Sequence, residues 1–431
     1  MHMIRVKIKV AVVLPMILIG VSPSLYALQV GGNVNLDLEY TDNAALTNTG
    51  EVDDVIARTR LTGTISEDSG PVTGNATAEI RRLDYLDKTF ADETYLDLDL
   101  GATWIQVRNR LVWEAQDHYK QTLLNNLNAA TPSNIEDTNA FRLSADATFP
   151  LANQYTLTVT PSFTDYYYET SGNDNRQLAL AADLAYQLDP TISLSLNGSF
   201  TDLDFKNDIL NSDNERTGLN IAVAVTRARS RYNASIGATR VENDQGMETD
   251  GVTGSLDWEH DITGRSTIVL HASSAITDPS SIFISSSINP NTGSFSNVQN
   301  SGDTVRDDVF RVTYSRQGSV VNSSVWTELR ELDYETAMLD REVQEVGGDL
   351  SYAITPIVTG SVIASYIRTK DLAAISTDKT YYLEGKLGYS LSRKLNASVG
   401  LRGQSRDSSG VASREYDALG IFANIGYLLG R

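Results

Sequence analysis

Cysteine is absent from the 431-residue chain. That removes disulfide frameworks, thiolate nucleophiles, iron–sulfur clusters and cysteine-based zinc sites together. Bases are in short supply too, with 35 Lys and Arg against 55 Asp and Glu, a net charge of -20 at pH 7. A protein that wraps nucleic acid needs clustered bases to release phosphate counterions, so nucleic acid is not an expected partner. Only one apolar run, Val10 to Val21, approaches the length of a membrane helix, and it falls short of the ~20 residues a span requires. Proline is sparse, 10 residues against 30 glycines and 20 tyrosines. That balance fits many short strands separated by turns.

Residues 1–27 combine Arg5, Lys7 and Lys9 with the apolar run and a small-residue stretch ending at Ala27, and hold no acidic residue. This is the order of a secretory signal peptide, expected to be cleaved after Ala27. Cleavage would leave 32 basic and 55 acidic residues, a net charge of -23, on an exported chain.

From Gly31 onward the dominant period is two. Val34, Leu36, Leu38 and Tyr40 alternate with Asn33, Asn35, Asp37 and Glu39, which places the apolar set on one face of an extended strand. Leu96 to Trp104, Phe141 to Phe149, Ile192 to Phe200, Leu219 to Val225, Leu395 to Leu401 and Leu419 to Leu429 repeat the pattern. The connections alternate in length. Short ones such as Asp68 to Pro71, Leu188 to Thr191 and Asp261 to Arg265 carry turn residues. Long polar ones include Thr41 to Asp54, His118 to Thr138, Asp278 to Gly302, Asp333 to Asp340 and Lys370 to Lys379. Strands with a short-turn end and a long-loop end are the plan of an outer-membrane barrel. The count predicts an all-β, transmembrane, antiparallel up-and-down barrel of about 20 strands over residues 28–431, with about 18 or 22 as the neighbouring even numbers.

Face chemistry separates this barrel from a soluble sandwich. Trp104, Phe149, Tyr155, Tyr186, Tyr232, Trp258, Tyr314, Tyr352 and Tyr389 all fall on the apolar face beside a short turn. An amphipathic ring there suits a membrane–water interface, whereas sandwich aromatics would cluster in mid-strand. The polar face carries Arg58, Arg60, Glu79, Arg81, Asp97, Asp99, Arg110, Glu114 and Arg142, the candidate lumen-lining residues. Two arrangements suit them: a cationic ladder facing acids across a pore, or salt bridges that stiffen the wall. The expected location is the bacterial outer membrane, with lipid, lipopolysaccharide and the barrel assembly machinery as partners.

Several stretches carry a resemblance. Tyr40-Thr41-Asp42-Asn43, Leu111 to Thr122, Asp137-Thr138-Asn139, Tyr166-Tyr167-Tyr168 and Glu415-Tyr416-Asp417 resemble outer-membrane β-barrels encoded with exopolysaccharide-export and protein-sorting loci of Gram-negative bacteria. The resemblance spans nearly the whole exported chain and implies a porin-like barrel linked to surface polysaccharide. It implies no catalytic residues.

The residues themselves offer little covalent chemistry. Of four histidines, His2 lies in the signal, His118 and His260 stand beside acids at strand ends, and His271 projects from a polar face. Asp117 and His118 point to opposite faces of a strand and make a poor catalytic dyad. The acidic stretches Glu51 to Asp54 and Asp307-Asp308 lack the spacing of a defined calcium loop. The expectation is therefore a non-enzymatic channel or accessory protein for exopolysaccharide, without metal or cofactor. A general diffusion porin and a barrel-anchored adhesin or enzyme are the alternatives. The last strand closes on Tyr427 and Leu429, placed to read as its assembly signal. Replacing both with Asp is expected to abolish membrane insertion, scored as loss of the heat-modifiable band; normal insertion would refute that role.

Overall fold

The computed structural model describes residues 28–207, 211–285, 301–373, 375–410 and 414–430. The expected export signal, Met1–Ala27, lies outside the described residues. Period-two alternation becomes strands β1 (Gln29–Thr41), β2 (Asp54–Glu67), β3 (Val72–Tyr85), β4 (Glu93–Val107), β5 (Leu111–Leu123), β6 (Ile135–Ala152) and β7 (Tyr155–Tyr168). They continue as β8 (Asn175–Asp189), β9 (Ile192–Phe205), β10 (Asn214–Arg227), β11 (Ser230–Asn243), β12 (Glu248–Thr263), β13 (Ser266–Thr277) and β14 (Val305–Gln317). The circuit ends with β15 (Val321–Tyr334), β16 (Arg341–Thr355), β17 (Val358–Asp371), β18 (Ser376–Ser390), β19 (Leu395–Ser409) and β20 (Tyr416–Gly430).

Each strand pairs antiparallel with the next, and β1 pairs with β20 from Gly31↔Gly430 to Thr41↔Gly420. The sheet is a closed 20-stranded barrel with no free edge. Closure matters because a backbone N–H or C=O without a partner costs several kcal/mol at bilayer depth, about what a lost buried hydrogen bond costs in an apolar medium.

The strands outlast their apolar stripes. The β5–β6 ladder runs on to Leu123↔Ile135, so the loop expected over His118 to Thr138 shrinks to 124–134. The β17–β18 ladder likewise reaches Asp371↔Ser376 within a stretch expected to be loop. Above the lipid both faces meet water, so the ladder continues while the hydrophobic alternation that marks it in sequence fades. A further connection, 86–92, stands between β3 and β4 in addition to the long polar stretches of the sequence.

Two ladders stop short of the long-loop end. β4 and β5 pair only as far as Leu98↔Tyr119, and β12 and β13 only as far as Gly254↔Ser274. Beyond these points side chains take over. Gln121 of β5 donates to the freed Leu96 carbonyl of β4 at 3.0 Å, and Arg306 of β14 donates to the Val252 carbonyl of β12 at 3.5 Å. At both places the following hairpin leans into the lumen. Ala130, Pro132 and Ile135, at the tip of the β5–β6 hairpin, line a cavity inside the barrel. After β13, the short helix α1 (Pro279–Ser285) begins among lumen-facing residues of other strands. Asp278 accepts from Gln177 of β8 (3.1 Å) and Arg216 of β10 (3.5 Å), and Ser280 accepts from Asn175 (2.9 Å). Ile282 packs with Val305, Leu332 and Tyr334 in a small apolar cluster within the mouth.

The closing seam is clasped from inside. Glu39 on β1 pairs with Arg58 of β2 and with Arg402 of β19 at 3.0 Å, reaching over β20 to do so. The residue of β20 in between is Gly420, where a Cβ would lie 2.8 Å from the Glu39 carboxylate. Arg402 continues to Glu384 of β18 at 2.9 Å, and Tyr382 donates to the same carboxylate at 2.8 Å. Glu39 and Glu384 are nearly enclosed, with side chains 6% and 8% exposed. Glu39→Ala would leave two half-buried guanidinium groups facing each other, a loss of about 2 kcal/mol once partial solvent screening is allowed for. The predicted result is a lower urea midpoint for detergent-solubilised barrel; Gly420→Val should lower it comparably by displacing the carboxylate, and an unchanged midpoint in both would refute the clasp.

Candidate functional site

Along the paired ladders parity assigns strand residues to the lipid or the lumen; the rule fails past the last β4–β5 pair, where Gln121 and Ile135, of the same parity as Ala115 and Phe141, line the inner cavity. On the outside, large apolar side chains stand exposed around the barrel, among them Leu36, Leu38, Leu61, Ile80, Leu180, Ile221, Ile236, Val252, Leu350, Leu401 and Ile421. An apolar band of this extent has no place on a water-facing surface. Trp104, Phe149, Tyr155, Tyr232, Tyr314, Tyr352 and Tyr389 are exposed on the same face near the short turns, and Tyr186 and Trp258 are half-buried there. Some meet in register across strands: Tyr155 and Tyr186 at a tilt, 4.8 Å between ring centroids, and Tyr232 stacked on Trp258 at 6.3 Å.

Inside, the sequence-derived lumen residues separate into groups. Arg58, Arg60, Glu79, Arg81 and Asp97 come together on β2, β3 and β4. Arg60 pairs with Glu79 at 3.0 Å and Arg81 with Asp97 at 3.5 Å. Asp99 adjoins them, 3.4 Å from His118 and 4.0 Å from Lys120 of β5. Glu114 and Arg142 stand further round, in register with Ser144 and Gln116. Arg110 does not join the wall. It ends the exposed turn 108–110, where Asn109 adopts a left-handed φ of 57° and the chain reverses before β5 begins at Leu111. The alternation through Arg110 continues in sequence across this turn, which is why it reads as a strand residue.

Bases and acids interleave on one wall as pairs; they do not face each other across the pore. Joined to the seam clasp, the wall holds Arg58, Arg60, Arg81, Lys386 and Arg402 with Asp37, Glu39, Glu79, Asp97 and Glu384, and the charges balance. Aromatic rings sit among them. The Arg81 guanidinium lies 5.5 Å from the Tyr95 ring centroid, and that of Arg402 lies 5.2 Å from Phe422. Tyr95, Tyr382 and Phe422 were missed in sequence because they occupy polar-parity positions; strict parity, applied through Tyr381-Tyr382-Leu383 and Ile421-Phe422-Ala423, would have found the last two. Wall, rings and the β5–β6 tip enclose a cavity of about 470 Å³.

Comparison with solved structures places this architecture. Two variant structures of the ferric enterobactin receptor from Pseudomonas aeruginosa superpose with TM-scores of 0.50 and 0.51 at 9% identity, covering 94% and 93% of this chain and 81% and 80% of theirs. The chain folds as an outer-membrane β-barrel. At that identity the likeness shows the fold alone. No family model matches the chain, and neither does any curated protein.

The remaining histidines of the barrel sit in local contacts, His260 with its ring stacked on Trp258 at 5.9 Å between centroids. His271 meets Asp257 at 2.6 Å on the lumen face, and His260 meets Ser230 at 2.7 Å near a short turn. Among the described residues no group of three or more metal-ligating side chains converges. In the β3–β4 loop, hydrogen bonds from Lys88 hold the Asp92 carboxyl below the usual carboxylate range.

A balanced wall gains a net negative charge when bases are removed. The double variant Arg60→Gln, Lys386→Gln is expected to shift ion selectivity toward cations by about twofold relative to the parent, read as the reversal potential in a salt gradient. An unchanged reversal potential would place this wall outside the ion path.

Proposed function

We propose that the protein is an outer-membrane channel or accessory that passes or holds a surface polysaccharide by non-covalent contacts, with lipid, lipopolysaccharide and the barrel assembly machinery as its partners. The observation that carries this reading is the charge-balanced wall interleaved with aromatic rings. Sugar hydroxyls donate to carboxylates and accept from guanidinium groups, and a sugar ring face rests on an aromatic one. Balanced pairs offer many such bonds without concentrating ions of either sign, which favours a neutral, hydroxyl-rich chain over an acidic one. The inward lean of two hairpins favours contact with the passing chain over free diffusion. The resemblance to barrels of exopolysaccharide loci points the same way.

The purified, heat-modifiable barrel in a planar bilayer tests this reading. Dextran fragments are expected to block the current reversibly, and an acidic polysaccharide such as alginate to block it less at equal chain length. Stable current indifferent to dextran, with uptake of small sugars graded only by size, would overturn the proposal in favour of a diffusion porin.

A further inference from the structure

The 470 Å³ cavity has two unlike sides. Toward β18, β19, β1 and β2 it is walled by Arg58, Arg60, Glu384, Lys386 and Arg402. Toward β3, β4 and the β5–β6 tip it is walled by Leu83, Tyr85, Tyr95, Ala130, Pro132 and Ile135, with Arg81, whose guanidinium lies 5.5 Å from the Tyr95 ring centroid, and Gln121 beside them. Leu83, Ala130, Pro132 and Ile135 offer a sugar neither a hydrogen bond nor a ring face, so this side is apolar beyond what stacking on Tyr95 requires. The cost of wetting that wall is on the order of 25 cal/mol for each Å² of apolar surface.

The apolar side also adjoins the point where the barrel wall is weakest. From Glu93 to Asp97 β4 has no ladder to β5, although both strands continue as strands past the last pair, Leu98↔Tyr119. Gln121 spans the gap, donating to the Leu96 carbonyl at 3.0 Å and accepting from Arg81 at 3.3 Å, and it lines the cavity as well. On the β4 side of the gap the outer face is apolar, with Leu96 and, on β3, the exposed Ile80; on the β5–β6 side it carries Tyr119, which donates to Asp137 at 2.8 Å, and Asn139, which donates to Asp117 at 2.6 Å. A seam closed by side-chain hydrogen bonds parts at far lower cost than a ladder of backbone bonds.

We infer that this cavity binds an amphiphile with a polyhydroxyl head and an acyl tail, the head on the charge-paired wall and the tail on the apolar one. The β4–β5 seam is its lateral route to the outer leaflet. The inference rests on the sugar-handling reading of the lumen and adds to it a lipid-linked ligand and a path through the wall.

The cysteine-free chain permits a direct test. Single cysteines at Tyr95, Leu83, Lys386 and Ile80 are labelled with bimane, and the barrels are reconstituted in phosphatidylcholine vesicles. Two kinds of vesicle are compared, one with brominated phosphatidylcholine acyl chains and one containing an alkyl glycoside with a brominated chain. Quenching at Ile80, which faces lipid, certifies insertion in both. The brominated glycoside is expected to quench positions 95 and 83 and to spare 386, while brominated phosphatidylcholine quenches only 80. Unquenched 95 and 83 with the glycoside, or equal quenching there by phosphatidylcholine, would overturn the inference. Dextran block of the parent channel separates the two failures. Block that persists beside unquenched lumen positions removes the amphiphile alone, and absent block removes the polysaccharide reading beneath it.

Discussion

The pairing of β1 with β20 is the contact on which everything else depends. Nineteen hairpin ladders are local and form between neighbours in sequence; the twentieth joins positions nearly 400 residues apart, such as Gly31 and Gly430. Without it two strand edges would present unpaired backbone groups to hydrocarbon, which no side chain on the lipid face can satisfy. Glu39 reinforces this join where it is entropically most costly. Its carboxylate crosses β20 over Gly420 and binds guanidinium groups from β2 and β19, so β18, β19, β1 and β2 share a single charged network that spans β20.

That network also begins the lumen wall. The pairs that hold the seam run on through Arg60–Glu79 and Arg81–Asp97, so the side chains that stiffen the wall also reach the cavity lining. The barrel relaxes its ladder at two other places, β4–β5 and β12–β13, and both times the following hairpin enters the lumen. Rigid closure at one seam and weak pairing at another give the wall regions of unequal stability, the condition under which local opening is confined to one place.

Much of the barrel was legible in period-two alternation. It exposed the strands, their two unlike ends, the even count near 20, and the faces of Trp104, Tyr155 and Tyr389. It also placed Arg58, Arg60, Glu79, Arg81 and Asp97 on the polar face, where the structure has them paired. Three things escaped it, each for a physical reason. Strand ends above the lipid lost their signal because both faces are wet, so β5 to Leu123 and β18 from Ser376 read as loop. Arg110 kept the alternation while sitting in a turn, since a three-residue connection with Asn109 in the left-handed region does not interrupt the pattern of residue types. Pairs across the seam, and the inward lean that brings Pro132 into the same cavity lining as Tyr95, are set by contacts between segments far apart in sequence, which no local period encodes.

The central claim is that alternate residues of each strand face lipid and a water-filled lumen. Single cysteines at Leu194, Ser195, Leu196 and Asn197 of β9, a stretch free of the hairpins that lean inward, test it most directly in barrels reconstituted into vesicles. A charged, membrane-impermeant maleimide added from both sides is predicted to label positions 195 and 197 and to leave 194 and 196 untouched. Uniform labelling of all four, or labelling of 194 and 196 alone, would contradict the account.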